Sequence, residues 1–257
     1  MLLEFLSDIT LIFQGKINNE LINMLNLYYD KFPIIISFIG KNDSYKNILQ
    51  QIINEPKFNN IELIEQQSNF IGYHDLYQNI YYQCITTYNG VKRVKTKYAI
   101  KLRSDEFFDD LTAMFTYIYN NSLFDKIICS DIFFRKSTYG KYHMSDHFFF
   151  CTTELLFNMC SKLKLILEKK DDIVHDKTYI KNIISAEQRI TVSFLLTLGE
   201  DLKYTIEDSN NMINKHFRIY SSGNFKKFVF SFNNSKIISS NYYNEQIDEY
   251  NPNIKLM

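Results

Sequence analysis

Residues 97–106 read Lys-Tyr-Ala-Ile-Lys-Leu-Arg-Ser-Asp-Glu. The apolar alternation predicts a strand over residues 98–102, and the charged residues after it mark the point where a sheet meets a loop. In an open α/β sheet, ligands bind at the carboxyl ends of the strands. The acidic pair Asp105 and Glu106 can hold a divalent cation there, because hard cations prefer oxygen ligands and pair readily with phosphates. The stretch therefore predicts a metal and diphosphate site; the alternative is a strand that ends in charged residues simply to leave the core.

The bulk composition is that of a globular protein with a sizeable core. The chain has 257 residues, of which 46% are hydrophobic. Its 29 basic and 29 acidic residues balance, so no overall field attracts nucleic acid, and we expect no nucleic-acid partner. The four cysteines lie in apolar stretches and have neither the density of a disulfide scaffold nor the paired spacing of a zinc site. We expect reduced, buried thiols.

Targeting and membrane-spanning patterns are not found in the sequence. Residues 1–13 contain Glu4 and Asp8 and no basic region before the apolar residues, unlike a signal peptide. The most apolar segment, residues 147–160, is interrupted by polar residues and is too short to span a bilayer. We expect a soluble, cytoplasmic protein with no transmembrane segment, which leaves peripheral membrane contact through a loop open.

Strand and helix patterns alternate along the chain. Residues 8–13 predict a buried strand ending at Gln14 and Gly15, and residues 34–39 predict a second one, with a helix between them that Asn18 or Asn19 can cap. The other predicted elements are helices over 43–53, 75–94, 109–119 and 185–198, strands over 61–64, 98–102, 126–134 and 147–151, and surface loops over 136–145 and 162–177. This order favours a mostly parallel sheet with right-handed crossovers, an α/β layer sandwich, and no linker indicates a domain boundary.

Five segments, taken in order and spacing, resemble the WavE family, which is found in bacterial lipopolysaccharide loci and in giant viruses. They are residues 8–15, 34–40, 79–83, 95–106 and 145–149, with Lys-x-Arg-Ser-Asp at 101–105 the most specific. The resemblance implies a GT-A-like, Rossmann-type three-layer α/β/α sandwich in one domain. It divides that domain into a nucleotide-sugar-binding half over 1–106, an acceptor-binding half over 107–238 and a polar tail over 239–257.

The same resemblance implies a glycosyltransferase. Its donor is a nucleotide sugar, with a UDP-sugar favoured, its acceptor a glycan or lipid-linked hydroxyl, and its cofactor Mn²⁺ or Mg²⁺. The compartment is the cytoplasm of a bacterium, or of the host cell for a viral protein. The implied donor-binding residues are Gln14, Gly15, Ser37, Asn79, Gln83, Arg103, Ser104 and Asp105.

The spacing of these residues leaves several roles open. Asn79 and Gln83 lie four apart and share one helix face, which contacts the donor or is merely a polar surface. Arg103 and Asp105 point to the same side of a strand. Arg103 therefore either stabilises the leaving phosphate or orients Asp105 through a salt bridge. Asp105 is the first metal ligand to expect, although Ser-Asp-Glu departs from a clean Asp-x-Asp and leaves metal dependence open.

An inverting transferase also needs a carboxylate that accepts the proton of the acceptor hydroxyl. We expect Asp146 to contact the acceptor and Glu187 to be the base. Glu187 has a structural alternative, because Ser185 and Gln188 have capping-box spacing and the helix dipole favours an acid in the first turn. The late histidine His216 is a candidate second metal ligand; the alternative is a surface histidine.

Two other functions compete with the transferase. A nucleotidyltransferase needs a similar sheet and metal, but Gln14-Gly15-Lys16 is a poor cradle for a triphosphate. A catalytically silent nucleotide-sugar or glycan-binding module would use the many tyrosines to stack on sugars. Donor hydrolysis separates the silent module from the enzymes.

Overall fold

The computed structural model describes residues 1–15, 17–40, 49–50, 54–67, 75–132, 134–135, 137–138, 140–225, 228–232 and 235–238. Over these residues the chain forms a seven-stranded sheet and a three-stranded sheet. The strands of the large sheet, numbered in chain order, are β1 (Ile9–Gln14), β2 (Ile34–Ile39), β3 (Ile61–Gln66), β4 (Tyr98–Arg103), β6 (Ile127–Ser130), β7 (Phe148–Thr152) and β8 (Phe217–Tyr220). The small sheet contains β5 (Phe107–Phe108), β9 (Phe228–Phe232) and β10 (Ser235–Ile238).

The large sheet is mostly parallel, as predicted. Its strand order is β3-β2-β1-β4-β7-β6-β8. Every pair of neighbours is parallel except those that involve β7, which runs antiparallel to both β4 and β6. Because β7 is reversed, its first residues lie at the edge where β1, β2, β4 and β6 end. We call this the carboxyl edge.

Helices flank the large sheet. They are α1 (Leu2–Ser7), α2 (Asn19–Tyr28), α3 (Asp75–Val91), α4 (Leu111–Asn120), α5 (Thr153–Leu167), α6 (Lys177–Asn182), α7 (Ala186–Thr197) and α8 (Ile206–His216), with 3₁₀ turns at Pro56–Phe58, Asp172–His175 and Ser222–Asn224. The Asn18 side chain caps α2 by accepting a hydrogen bond from the backbone N–H of Leu21, as its position predicted. None of the helices in the described ranges has both the length and the apolar character that crossing a bilayer requires.

Two apolar cores, one on each face of the sheet, complete a three-layer sandwich. Along β1, Leu11 and Phe13 point into the core shared with α1, α2 and α4, whereas Ile12 points into the core shared with α3, α5, α7 and α8. Strands buried on both faces read as continuous apolar runs, which is why the strand patterns were recognisable. The predicted three-layer α/β/α architecture is therefore confirmed.

The loop predicted over residues 162–177 is wrong. Helix α5 continues to Leu167, and a 3₁₀ turn and α6 follow. The error arose because lysines dominate this stretch, yet Leu163, Ile166 and Leu167 keep helical spacing and are buried in the second core. Most of the helix predicted over 43–53 lies outside the described residues, as does the whole tail 239–257.

The cysteines behave as expected. All four are buried and unpaired. Burial raises the pKa of the Cys129 thiol above its ordinary value, as it does for Cys151 and Cys160. These thiols are parts of the core.

Candidate active site

Strands β1, β2 and β4 bring polar residues into one row near the carboxyl edge. Gln14 at the end of β1 is in register with Ser37 on β2 and with Arg103 on β4. The next residue, Gly15, has φ +123°, and a Cβ there would lie 2.9 Å from the Ser104 Oγ. Glycine therefore lets the loop after β1 turn directly against the end of β4.

Polar side chains form a buried floor below this turn. The Gln14 Oε1 accepts a hydrogen bond from the Thr86 hydroxyl at 3.2 Å, and the Ser37 Oγ accepts one from the Gln66 amide at 3.1 Å. The Ser104 backbone N–H donates to the Gln14 carbonyl at 2.9 Å. Gln14, Ser37 and Ser104 are all buried. The structure thus places these three predicted donor-binding side chains under the edge, where they support it.

Arg103 and Asp105 form a partly exposed charged pair at the edge. The Arg103 Nε and Nη2 donate to the two oxygens of Asp105 at 3.0 and 2.9 Å, and each side chain is 29% exposed. Burial would raise the pKa of the Asp105 carboxyl, but Arg103 outweighs it and the pKa lies below its ordinary value. The salt bridge considered for Arg103 is therefore present, and Asp105 is ionised at neutral pH.

A second acidic group lies directly beneath this pair. The Glu106 Oε1 is hydrogen-bonded to the His147 Nδ1 and lies 3.2 Å from the Arg103 Nε. Both Glu106 and His147 are buried, and burial raises the pKa of Glu106 although His147 and Arg103 oppose the rise. The sequence predicted Glu106 as a cation ligand together with Asp105. The structure instead buries the Glu106 carboxylate against His147, and of the two acids only Asp105 is partly exposed.

Asp146 and Gln83 meet at the start of β7. The Gln83 Nε2 donates to the Asp146 Oδ2 at 3.0 Å, and the buried Lys101 ammonium donates to the Asp146 carbonyl. Burial would raise the pKa of Asp146, but His147, Lys101 and Arg103 together hold it below the ordinary value of 3.8. Burial lowers the pKa of Lys101 to about 8. Two predicted site residues, Gln83 and Asp146, are therefore in direct contact, and Lys101, which sequence reasoning missed, supports Asp146.

Glu187 and Asn79 lie on helices that approach the same edge. Asn79 is exposed on α3, one turn before Gln83. Glu187 is in the first turn of α7, where Ser185 and Gln188 form the complete capping box that the spacing predicted. The Glu187 Oε2 lies 3.7 Å from the Nε2 of His143, in the loop that leads into β7.

His216 lies elsewhere. It ends α8, directly before β8, and its Nε2 is 2.7 Å from the Glu200 carboxylate. Since β8 is parallel to β6, its first residues are at the edge opposite to Asp105. The structure does not bring His216 and Asp105 together. The prediction that both bind one metal ion is therefore wrong.

The fit of a divalent cation depends on Asp105. Among the described residues, no group of three His, Cys, Asp or Glu side chains could hold a metal ion. An ionised carboxylate has about four lone-pair sites, and Arg103 uses two of those on Asp105. Mg²⁺ commonly binds one or two carboxylates and takes its other ligands from phosphates and water. Asp105 therefore fits as a single protein ligand to a cation shared with a bound diphosphate.

The sequence model of the WavE family, described as WavE lipopolysaccharide synthesis, matches residues 65–228, which is more than half of the chain. The chain belongs to the WavE family. The WavE match runs from the end of β3 to the start of β9 and so includes Gln83, Arg103, Asp105 and Asp146. The turn at Gly15 lies outside it. No curated protein matches this WavE chain in sequence.

Several solved structures are remotely similar to this WavE chain. The mannosyltransferase PcManGT from Pyrobaculum calidifontis, in complex with GDP-Man and Mn²⁺, is 9% identical with a TM-score of 0.40 over 58% of this chain. The match spans 45% of the mannosyltransferase, less than half its length. The structure of HddC from Yersinia pseudotuberculosis in complex with GMP-PN is 13% identical, with a TM-score of 0.36. The match covers 58% of this chain and 79% of HddC. A second HddC structure matches with a TM-score of 0.35 and 12% identity, and the match covers 78% of HddC.

Proposed function

We propose that this WavE-family chain is a glycosyltransferase that moves a sugar from a nucleotide-diphosphate donor to an acceptor hydroxyl at the carboxyl edge. The observation that carries the proposal is the partly exposed pair of Arg103 and Asp105 beside the glycine turn after β1. Open α/β sheets bind ligands at this edge. The family description, lipopolysaccharide synthesis, supports a reaction that builds a glycan.

The leaving diphosphate is the group that the edge must stabilise. Breaking the sugar–phosphate bond places negative charge on the departing phosphate, and preorganised cationic groups lower the energy of that charge. Arg103 supplies a permanent positive charge, and Gly15 has no side chain to block a nucleotide from the adjacent backbone. A Mn²⁺ or Mg²⁺ ion on Asp105 and the donor phosphates would add further positive charge.

Asp146 and Glu187 have different tasks in this proposal. A carboxylate whose pKa is held low is a weak base, and Asp146 is buried between Gln83 and Lys101. In this proposal Asp146 positions Gln83 and the start of β7, instead of contacting the acceptor as the sequence predicted. Glu187 is partly exposed near His143 and is the proposed base for an inverting reaction on a glycan or lipid-linked acceptor.

A thermal-shift screen tests donor binding. The wild type is heated with UDP-, GDP-, dTDP- and CMP-sugars, each with and without Mn²⁺. We propose a UDP-sugar as the donor and expect one nucleotide class to raise the melting temperature, more strongly with metal. The Asp105→Asn variant should lose the metal-dependent part of the rise in melting temperature. The Asp125→Asn variant, a control at an exposed position, should keep it. No response to any nucleotide sugar contradicts the proposal.

Turnover separates the transferase from its competitors. An enzyme of the proposed class slowly hydrolyses its donor without acceptor and releases the nucleoside diphosphate. A silent binding module gives a thermal shift without release. A nucleotidyltransferase instead consumes a nucleoside triphosphate and releases pyrophosphate.

A further inference from the structure

A basic cleft opens in the loop that joins β6 to β7. It has a volume of about 340 Å³ and is lined from this loop by Arg135 and Lys141 and from α6 by Lys181. None of the described residues that line it is acidic. The loop begins and ends at the carboxyl edge, and His143 of the cleft lining lies three residues before Asp146 of the candidate site. Three cations around one small cleft favour an anionic ligand.

The floor of the cleft is ordered by hydrogen bonds. The Lys141 ammonium donates to the Asn182 side chain at 2.9 Å. The Gln188 amide donates to the Lys141 and Asn182 carbonyls, each at 2.9 Å, and so ties the loop to α6 and α7. The two lysines are therefore attached to a fixed frame, which is the condition for a selective site.

A buried histidine with an unsatisfied nitrogen lines the same cleft. His143 is 6% exposed, and its Nδ1 has no hydrogen-bond partner among the described residues. A buried polar atom without a partner costs free energy, and such atoms often mark a site where a ligand or water binds. The other ring nitrogen faces the Glu187 carboxylate at 3.7 Å. The cleft thus adjoins the proposed catalytic base.

We propose that this cleft binds an anionic group, a phosphate or carboxylate, on the acceptor. The inference rests on the proposed function, since it places the acceptor hydroxyl near Glu187 while the cations hold the charged group. Phosphate contacts from fixed cationic side chains give charge-assisted hydrogen bonds, which are stronger than neutral ones. The acceptor is therefore a negatively charged sugar or lipid-linked sugar, and a neutral glycan is a poor substrate.

The anionic group has two sources that the test distinguishes. Ile180 and Ile184 are 56% and 78% exposed, and Ile184 lines the cleft, so a lipid headgroup is one source and a soluble sugar phosphate is the other. The probes are glucose 6-phosphate against glucose by calorimetry, and phosphatidylcholine vesicles with and without phosphatidic acid by co-sedimentation. We expect at least one anionic probe to bind about tenfold more tightly than its neutral match.

Matched variants locate the binding. The double variant Lys141→Gln, Lys181→Gln keeps donors at both positions but removes two charges, and we expect about tenfold weaker binding of the anionic probe. Lys31→Gln, Lys57→Gln removes two charges from exposed positions before β2 and β3 and should leave binding unchanged. Equal losses in both variants, or no preference of the wild type for either anionic probe, overturn the inference.

The nucleotide-sugar thermal shift of the same proteins separates the two proposals. Anion binding in the cleft without any nucleotide response means that the transferase proposal fails while the anion site stands. A nucleotide response without selective anion binding means that the anion site fails while the transferase proposal stands. We expect the double variant to retain the full nucleotide response.

Discussion

Lys101 is a buried lysine that supports Asp146 in the candidate site. It lies on β4 between Ile100 and Leu102 and is fully buried, with its ammonium 5.2 Å above the Phe149 ring. Its hydrogen bond to the Asp146 carbonyl and its charge near the Asp146 carboxylate hold the start of β7 against β4. Removing one of two buried opposite charges that interact is costly, because the other charge is left uncompensated.

Replacing this lysine should therefore destabilise the protein. We expect Lys101→Met to lower the free energy of unfolding by about 3 kcal/mol, although methionine fills a similar volume. Urea denaturation measures the change. Lys95→Met, at an exposed position before β4, should change it by less than about 0.5 kcal/mol. Equal stability of Lys101→Met and wild type would show that the ammonium is not needed.

Asp146 should make the free energy of unfolding fall as the pH becomes acidic. Its folded pKa lies below 3.8, so its stabilising contribution is present above the unfolded pKa and is lost as pH falls through the folded pKa. We expect Asp146→Asn to be less stable than wild type by about 2 kcal/mol at pH 7. The difference should shrink below about pH 4. Urea denaturation between pH 7 and pH 3 measures it; a difference that is constant with pH contradicts this account.

The sequence predicted individual site residues where a charged residue stood next to the end of an apolar strand pattern. Arg103, Asp105 and Asp146 were predicted as site residues because charge followed or preceded an apolar run, and the structure places all three at the carboxyl edge. The role of Lys101 and the contact between Glu106 and His147 were missed. The partners are distant in sequence, by 45 and 41 residues, and no local pattern encodes such contacts.

At the scale of elements, α3 is the helix that brings Gln83 to the sheet. Its close approach requires Gly90, because a Cβ there would lie 2.6 Å from the Ile12 Cγ2 and 3.6 Å from the Ser37 Cβ. Helix α3 therefore packs closely against the side chains of Ile12 on β1 and Ser37 on β2.

A methyl group at this position should push the helix away. We expect Gly90→Ala to destabilise the fold by about 1–3 kcal/mol through overpacking, although alanine is intrinsically the better helix former. Thermal or urea denaturation checks this, with Asn89→Ala on the same helix as the control for propensity. A Gly90→Ala protein more stable than wild type would mean that the helix can shift without cost.

The start of α7 bears on the role of Glu187. Its capping box satisfies backbone groups through Ser185 and Gln188 without using the Glu187 carboxylate. We expect Ser185→Ala to cost about 1 kcal/mol of stability, and Glu187→Gln to cost less than about 0.5 kcal/mol while it lowers transfer activity. Urea denaturation and a product assay on both variants measure the two effects. A Glu187→Gln enzyme with wild-type activity would exclude Glu187 as the base.

At the scale of the whole molecule, one sheet contains strands from both halves of the chain, and β7 joins them. The sequence indicated alternating strands and helices and hence the layers. It did not indicate that β7 is reversed, because an apolar strand reads the same in either direction. That reversal places Asp146 and His147 beside Arg103 at the carboxyl edge. The division into donor and acceptor halves stays a prediction.

The most direct test of the proposed donor site is calorimetric titration of UDP and GDP, with Mn²⁺, into wild type, Arg103→Met and Arg93→Met. Arg93 is an exposed arginine beside Glu62 and serves as the control. Loss of a charge-assisted phosphate contact should weaken binding about tenfold or more in Arg103→Met, with circular dichroism showing a folded protein. Arg93→Met should bind as wild type does. Equal affinity of all three proteins would show that the nucleotide does not bind at the carboxyl edge.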